Sequence, residues 1–244
     1  VWGTDADPSA EPSRAPSPTE SPSPFDGTPA EEFAEGADGI VLPEAEAVGD
    51  FTADQVAEAL EQVRDALIAA RIDRSMLIDH DPEPFLAVLA VDLQPALSEV
   101  FDSADFAAFA TQVAEDAVLA PLPPRVVGSI SYRTTTAGAQ ETEVIEMKTR
   151  FSWVYAFEAT DPEASGDLVV VRDELVWRMQ FGEPWLETSR GLWLVSETSR
   201  AWGADCDTLA EGTLLPDGES AASLAEGADE IFDPEQPLET VETC

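Results

Sequence analysis

From Ile145 to Phe157 every second residue is large and apolar except Thr149. Ile145, Met147, Phe151, Trp153, Tyr155 and Phe157 share one phase, and Glu146, Lys148, Arg150 and Ser152 fall between them. Side chains alternate across a pleated strand, so this run predicts a long β-strand within Glu143–Thr160 with one apolar face. Such a strand needs hydrogen-bonded neighbours and a layer over its apolar side.

The segments that follow supply the neighbours. A period of two recurs in Val126–Arg133, Asp167–Phe181 and Gly191–Trp202, separated by the turn residues Ala137-Gly138, Asp161-Pro162 with Gly166, and Gly182-Glu183-Pro184. Short connections between consecutive strands favour an antiparallel meander. The preceding segments supply the cover. Thr52 with Gln55 forms a capping box, Phe51 is placed to staple onto Val56, and Val56, Leu60, Val63 and Leu67 recur at helical spacing as far as Arg71. Pro82 and Pro84 break the next segment, and Phe85–Leu89 reads as a short helix with Pro84 in its first turn. Pro95 breaks again, Asp105–Ala117 reads as a further helix with Phe106, Phe109 and Val113, and Pro121, Pro123 and Pro124 close the helical half. The expected class is α+β: N-terminal helices packed on a curved four-stranded antiparallel sheet.

The two ends differ in composition from the middle. Residues 4–30 are dominated by Pro, Ser, Glu and Ala, with Phe25 the only large apolar residue, and such a segment buries too little surface to offset its ordering entropy. The division expected is a disordered Pro/Ser/acidic stalk over 1–49, a helix-plus-sheet domain over 50–207, and an acidic tail over 208–244. The formal net charge is -38, from 50 acidic and 12 basic residues, and Lys148 is the only lysine. Residues 1–50 and 201–244 carry 12 acids each against a single arginine, Arg14, so the ends hold more than half of the imbalance. A surface this negative repels phosphate backbones and anionic membranes, which excludes nucleic acid as a partner. It attracts cations, basic peptides or cationic wall components.

Cys206 and Cys244 lack a CxxC partner and neighbouring histidines, so zinc and thioredoxin-type sites lack their ligands. A structural disulfide suits them better. Closing the loop from 206 to 244 would remove roughly 4 kcal/mol of unfolded-state entropy and pin the tail. No apolar run reaches membrane-spanning length and no cleavable signal is present, so membrane insertion by these residues is not expected. The chain begins with Val1, which permits a signal peptide or anchor removed upstream.

Helices followed by a long meander, with the paired strands MKTRFSWVYAFEA and DLVVVRDELVWRMQF, resemble the NTF2-like and cystatin-like α+β superfamily over about Asp50–Cys206. The resemblance implies a cone whose sheet wraps the first helix. The stalk, the acidic bias and the scarce lysine also look like anchored extracytoplasmic proteins of high-GC actinobacteria. That superfamily includes enzymes, binding modules and interaction platforms, so the fold does not choose among them.

Among single residues, Asp173 falls in phase with Val169, Val171, Leu175, Trp177 and Met179. An unbroken alternation would aim its carboxyl into the apolar concavity, where desolvation raises a carboxyl pKa and suits it to proton transfer. The sequence favours the other reading, a β-bulge at Arg172-Asp173-Glu174 that turns Asp173 outward. Tyr132 and Tyr155 are candidate donors into the same concavity. His80, the only histidine, lies between Asp79 and Asp81 and reads as a solvated loop residue. Asp79, Asp81 and Glu83 lack the spacing and glycine of a calcium loop. Trp153 and Trp177 read as core, whereas Trp185, beside Pro184 in a turn, reads as an exposed anchor for a partner or glycan. No metal or cofactor is expected. The leading expectation is an exported, surface-anchored or secreted binding domain without catalytic activity, whose partner is a protein, peptide or envelope component. The alternative is a small-molecule dehydratase or isomerase with Asp173 as general acid or base, assisted by Tyr155 and Tyr132.

Overall fold

The computed structural model describes residues 23–158, 167–218, 224 and 228–238. It is an α+β fold around one five-stranded antiparallel sheet. The four long strands fall where the period of two places them: β3 (Arg125–Ala137), β4 (Thr142–Phe157), β5 (Asp167–Gln180) and β6 (Gly191–Trp202). They pair in chain order, with Phe151 between Gly128 and Asp173 and Trp153 between Val126 and Val171. The fifth strand, β1 (Ala34–Glu35), pairs with the start of β3 and was not expected, because it lies inside the segment read as stalk. Residues 159–166, including the Asp161-Pro162 and Gly166 turn, lie outside the described residues.

The first helix, α1 (Ala53–Arg71), begins as its capping box dictates. Thr52 Oγ1 accepts from the Gln55 amide at 3.3 Å and Gln55 Oε1 accepts from the Thr52 amide at 3.1 Å. Its stripe of Val56, Leu60, Val63 and Leu67 is buried against Met147, Phe151, Trp153, Tyr155, Leu175 and Trp177 in one core. Thr149 interrupts the apolar phase of β4 and is also buried. Its hydroxyl accepts from Trp177 Nε1 at 3.3 Å and donates to the Leu175 carbonyl at 3.5 Å, so a polar group sits in this core with both roles filled. Gly128, opposite Phe151, has no side chain for a physical reason: a Cβ there would come within 2.2 Å of the Phe151 ring.

Two helical expectations change. After α2 (Arg74–Leu77) and α3 (Glu83–Val88) comes α4 (Gln94–Val100), with Pro95 inside its first turn, where a missing N–H removes no helical bond. Pro95 therefore starts a helix and does not break one. The helix expected over Asp105–Ala117 is only a 3-10 turn at Ala104–Ala108, followed by β2 (Gln112–Val113). The carbonyls of Ala107, Ala108 and Ala110, which a longer helix would use internally, instead accept from the Arg71 guanidinium. Phe106 and Phe109 are held by Phe101, and Phe109 stacks on Phe85 with centroids 5.6 Å apart.

The stalk boundary at residue 49 and the tail boundary at 208 are both corrected. Phe25 and Ala30 from the N-terminal side, with Leu224 and Phe232 from the C-terminal side, bury Val154, Ala156, Leu168 and Val170 on the second face of the sheet. This explains why β4 is buried on both phases from Phe151 onward. Arginines on the strands fasten the terminal segments. Arg125 donates to the Phe33 carbonyl at 2.9 Å and lies over the Phe25 ring, Arg172 donates to the carbonyls of Glu230 and Gln236, and Arg150 meets Glu235 at 3.1 Å. Further on, α5 (Cys206–Ala210) leads to β7 (Thr213–Leu214), which pairs in parallel with β2, and α6 covers Ala228–Ile231. No described helix is long and apolar enough to cross a membrane. Residues 1–22 and Cys244 lie outside the described residues. Cys206 opens α5 and is not free, and its disulfide with Cys244 stays a proposal.

Candidate functional site

Asp173 faces the interior. The β4–β5 register runs without a break from Phe157/Asp167 to Ile145/Met179, so the bulge expected at Arg172-Asp173-Glu174 is absent. The irregularity lies instead between β5 and β6, at Val176/Trp177. Asp173 is fully buried, and its Oδ2 accepts from Arg71 Nε at 3.0 Å and from Trp153 Nε1 at 2.9 Å. Oδ1 has no hydrogen-bond partner among the described residues. Burial pushes the carboxyl above its ordinary value, against the opposing pull of the Arg71 charge and the Trp153 and Arg71 hydrogen bonds.

Arg71 is the residue that sequence reasoning missed as a partner. The signal was present: it stands four residues after Leu67, on the buried stripe of α1, where an arginine requires an acid or several carbonyls. Its guanidinium reaches Asp173, Thr111 Oγ1 at 2.9 Å and the three alanine carbonyls. Tyr155, a second sequence candidate, closes a ring. It donates to the Arg71 carbonyl at 2.9 Å and accepts from Thr111 Oγ1 at 3.0 Å, while Thr111 accepts from Arg71. Desolvation lifts the Tyr155 phenol to about 12, so it holds its proton at neutral pH. Asp173 and Tyr155 thus meet in one buried network.

The other candidates lie elsewhere. Tyr132 donates to the Glu44 carbonyl at 3.0 Å and accepts from the Glu46 amide at 2.9 Å, so it fastens the approach to α1 and does not join Asp173. Trp185 is half-buried and not the exposed anchor expected: its ring lies by Gly138 at the β3–β4 turn, where a Cβ would meet it at 3.0 Å. Its neighbour Leu186 is the exposed residue, at 72%. His80 is half-buried, and its Nε2 must carry a proton to donate to the Val113 carbonyl at 2.9 Å, which replaces the solvated-loop reading. No cluster of His, Cys, Asp or Glu suited to a metal occurs among the described residues.

A cleft of about 660 Å³ opens beside this network. Arg71, Thr111 and Val171 form its inner end, Leu97 and Leu209 contribute apolar wall, and Glu197–Ala201 of β6 forms one side. Asp105 and Glu197 stand exposed on it. Asp173 does not line it, because Arg71 and Trp153 cover the carboxyl. Asp105 and Glu197 are therefore open to a molecule in the cleft, and Asp173 is not. No protein-family model matches the chain, and no curated protein or solved structure matches it.

Proposed function

We propose that the chain is an exported, extracytoplasmic binding or interaction domain without catalytic activity, that its fold is a variant of the NTF2-like cone, and that its cleft beside β6 is where a partner binds. The observation that carries the non-catalytic reading is the state of Asp173. A general acid must reach its substrate within hydrogen-bond distance, and this carboxyl is closed off by Arg71 and Trp153 in an interior filled by Phe151, Trp153 and Trp177. Supporting the NTF2-like reading is the order of elements, with a long helix packed on one face of an antiparallel meander. Supporting export are the Pro/Ser-rich composition of the first residues and a pair of cysteines without metal-ligand spacing.

The dehydratase or isomerase alternative gives a direct test. Incubation with a panel of small hydroxy-carbonyl compounds, followed by ultraviolet absorbance of the conjugated product, should show no turnover above buffer. Turnover that disappears in Asp173→Asn, with near-ultraviolet circular dichroism unchanged, would overturn the binding reading.

A further inference from the structure

β6 is an edge of the sheet, and edge strands offer unpaired N–H and C=O groups that proteins normally cover or interrupt. The first part of β6 is covered: Leu89 bridges Leu192 in parallel, and the Ala90 amide donates to the Leu192 carbonyl at 2.9 Å. Past the register shift the situation changes. Val195–Thr198 are all exposed, and from Trp193 to Ser199 no backbone bond reaches another element on the outer side among the described residues. The shift also resets the phase, so that Glu197, Ser199 and Ala201 stand opposite Leu175, Asp173 and Val171 and face the cleft.

The uncovered edge and the cleft are therefore one continuous surface, and its charge names the occupant. Asp105 and Glu197 stand on the cleft with no ion-pair partner among the described residues. Of the two arginines on the cleft, Arg71, at the inner end, has its guanidinium occupied by Asp173, Thr111 and alanine carbonyls, and Arg200 lies over the Trp202 ring at 5.0 Å. Around this lies a chain of net charge -38, which concentrates cationic ligands near it. Leu238 of the C-terminal segment lines the cleft, but the residues 239–244 that follow it fit this chemistry poorly, since Glu239 and Glu242 would add acid to acid.

We propose that the β6 edge and the adjoining cleft take an extended, basic and apolar segment of a partner protein. The segment adds to the sheet as a further strand along Val195–Ser199, inserts apolar side chains between Leu97 and Leu209, and brings a Lys or Arg to Asp105 and Glu197. Main-chain bonds to the edge supply affinity and the cleft supplies selectivity. The inference rests on the binding reading above and specifies the partner.

The test uses the full chain and the synthetic peptide acetyl-Lys-Val-Lys-Val-Lys-Val-Lys-amide, followed by fluorescence anisotropy and by amide chemical shifts of the protein. Expected are saturable binding, shifts concentrated at Val195–Ser199 and Asp105, and an affinity that falls at least tenfold between low and high salt. Asp105→Lys with Glu197→Lys should weaken binding at least tenfold, and N-methylating alternate peptide amides should abolish it. Undiminished binding of the N-methylated peptide overturns the added strand. If the peptide with Glu in place of Lys binds as well at the same amides, the basic partner is overturned while the binding domain stands. If the Lys-Val peptide binds only after removal of residues 239–244, the edge belongs to the chain's own tail and the proposal falls. Asp173-dependent turnover, by contrast, would remove the parent reading.

Discussion

The two faces of the sheet are covered by different means. On the inner face the odd residues of β4 meet the stripe of α1, a long helix with its own cap, and the two apolar periodicities mesh. On the outer face the apolar cluster sits at one end, at Val154, Ala156, Leu168 and Val170, and its cover comes from short segments of the two low-complexity ends. Few large side chains serve there, chiefly Phe25, Leu224 and Phe232, and arginine bonds to backbone carbonyls do the rest of the fastening. Seven of the twelve basic residues of the chain lie on β3–β6, where they hold both strand acids and acidic terminal segments. An acidic segment of low complexity is thus not free of structure when the sheet beside it carries the cations.

The sharpest contrast between the faces is expected from their buried arginines. Arg71→Met strands the Asp173 carboxyl in the core, and breaking a buried pair from one side costs about 3–5 kcal/mol. Urea unfolding followed by tryptophan fluorescence should show that loss for the whole domain. Arg71→Met combined with Asp173→Leu should recover most of it, because the stranded charge is then gone. A loss under 1 kcal/mol in the single variant would mean that the pair does not organise the inner face.

Phe232→Ala tests the other side. The ring is 1% exposed, and removing a buried phenylalanine costs roughly 3 kcal/mol. Here the cost should be local: amide exchange should quicken around Phe25, Val170 and Phe232 while the urea midpoint of the tryptophan core hardly moves. A midpoint that falls by the full amount would show that the two faces unfold together, and the contrast drawn between them would fail.

What could be read from the sequence follows the same division. The long strands and α1 were legible because each carries many turns or pleats of one period, and local capping agrees with the pattern. The inner phase of Asp173 was also written in that period, yet its function was not. Deciding it required Arg71, 102 residues away, and nothing local says that the last residue of a helix will meet a mid-strand acid. The Asp105–Ala117 helix failed for the same reason, since Arg71 draws the carbonyls of Ala107, Ala108 and Ala110 away from a helical ladder. The β6 edge was invisible because it depends on which strand ends the sheet and on a bulge at Val176/Trp177 with no glycine or proline to mark it.

The smallest effect concerns the other end of the outer face, and it carries a sign that separates the faces. Glu146 sits between Arg133 at 2.7 Å and Arg178 at 2.9 Å. Burial raises its carboxyl, but the hydrogen bonds and charges of the two arginines outweigh this and hold it below its usual 4.5. A carboxyl with a depressed folded pKa contributes stability above its unfolded value and loses it as pH falls through the folded one. Asp173, raised above its usual 3.8, acts the other way: over the window above 3.8 the folded chain binds the extra proton, so stability falls as pH rises through that window. Glu146→Gln should therefore lower stability at pH 7 by roughly 1 kcal/mol, since Arg133 is largely exposed and the bridge is partly screened. The deficit should shrink as pH falls below 4.5 and be lost once pH lies below the folded value, where wild type has lost the same contribution. Urea midpoints of both proteins at pH 7, 5 and 3.5 measure it. A deficit as large at pH 3.5 as at pH 7 would show that Glu146 acts through packing and not through charge, and the outer face would then be held in the same way as the inner one.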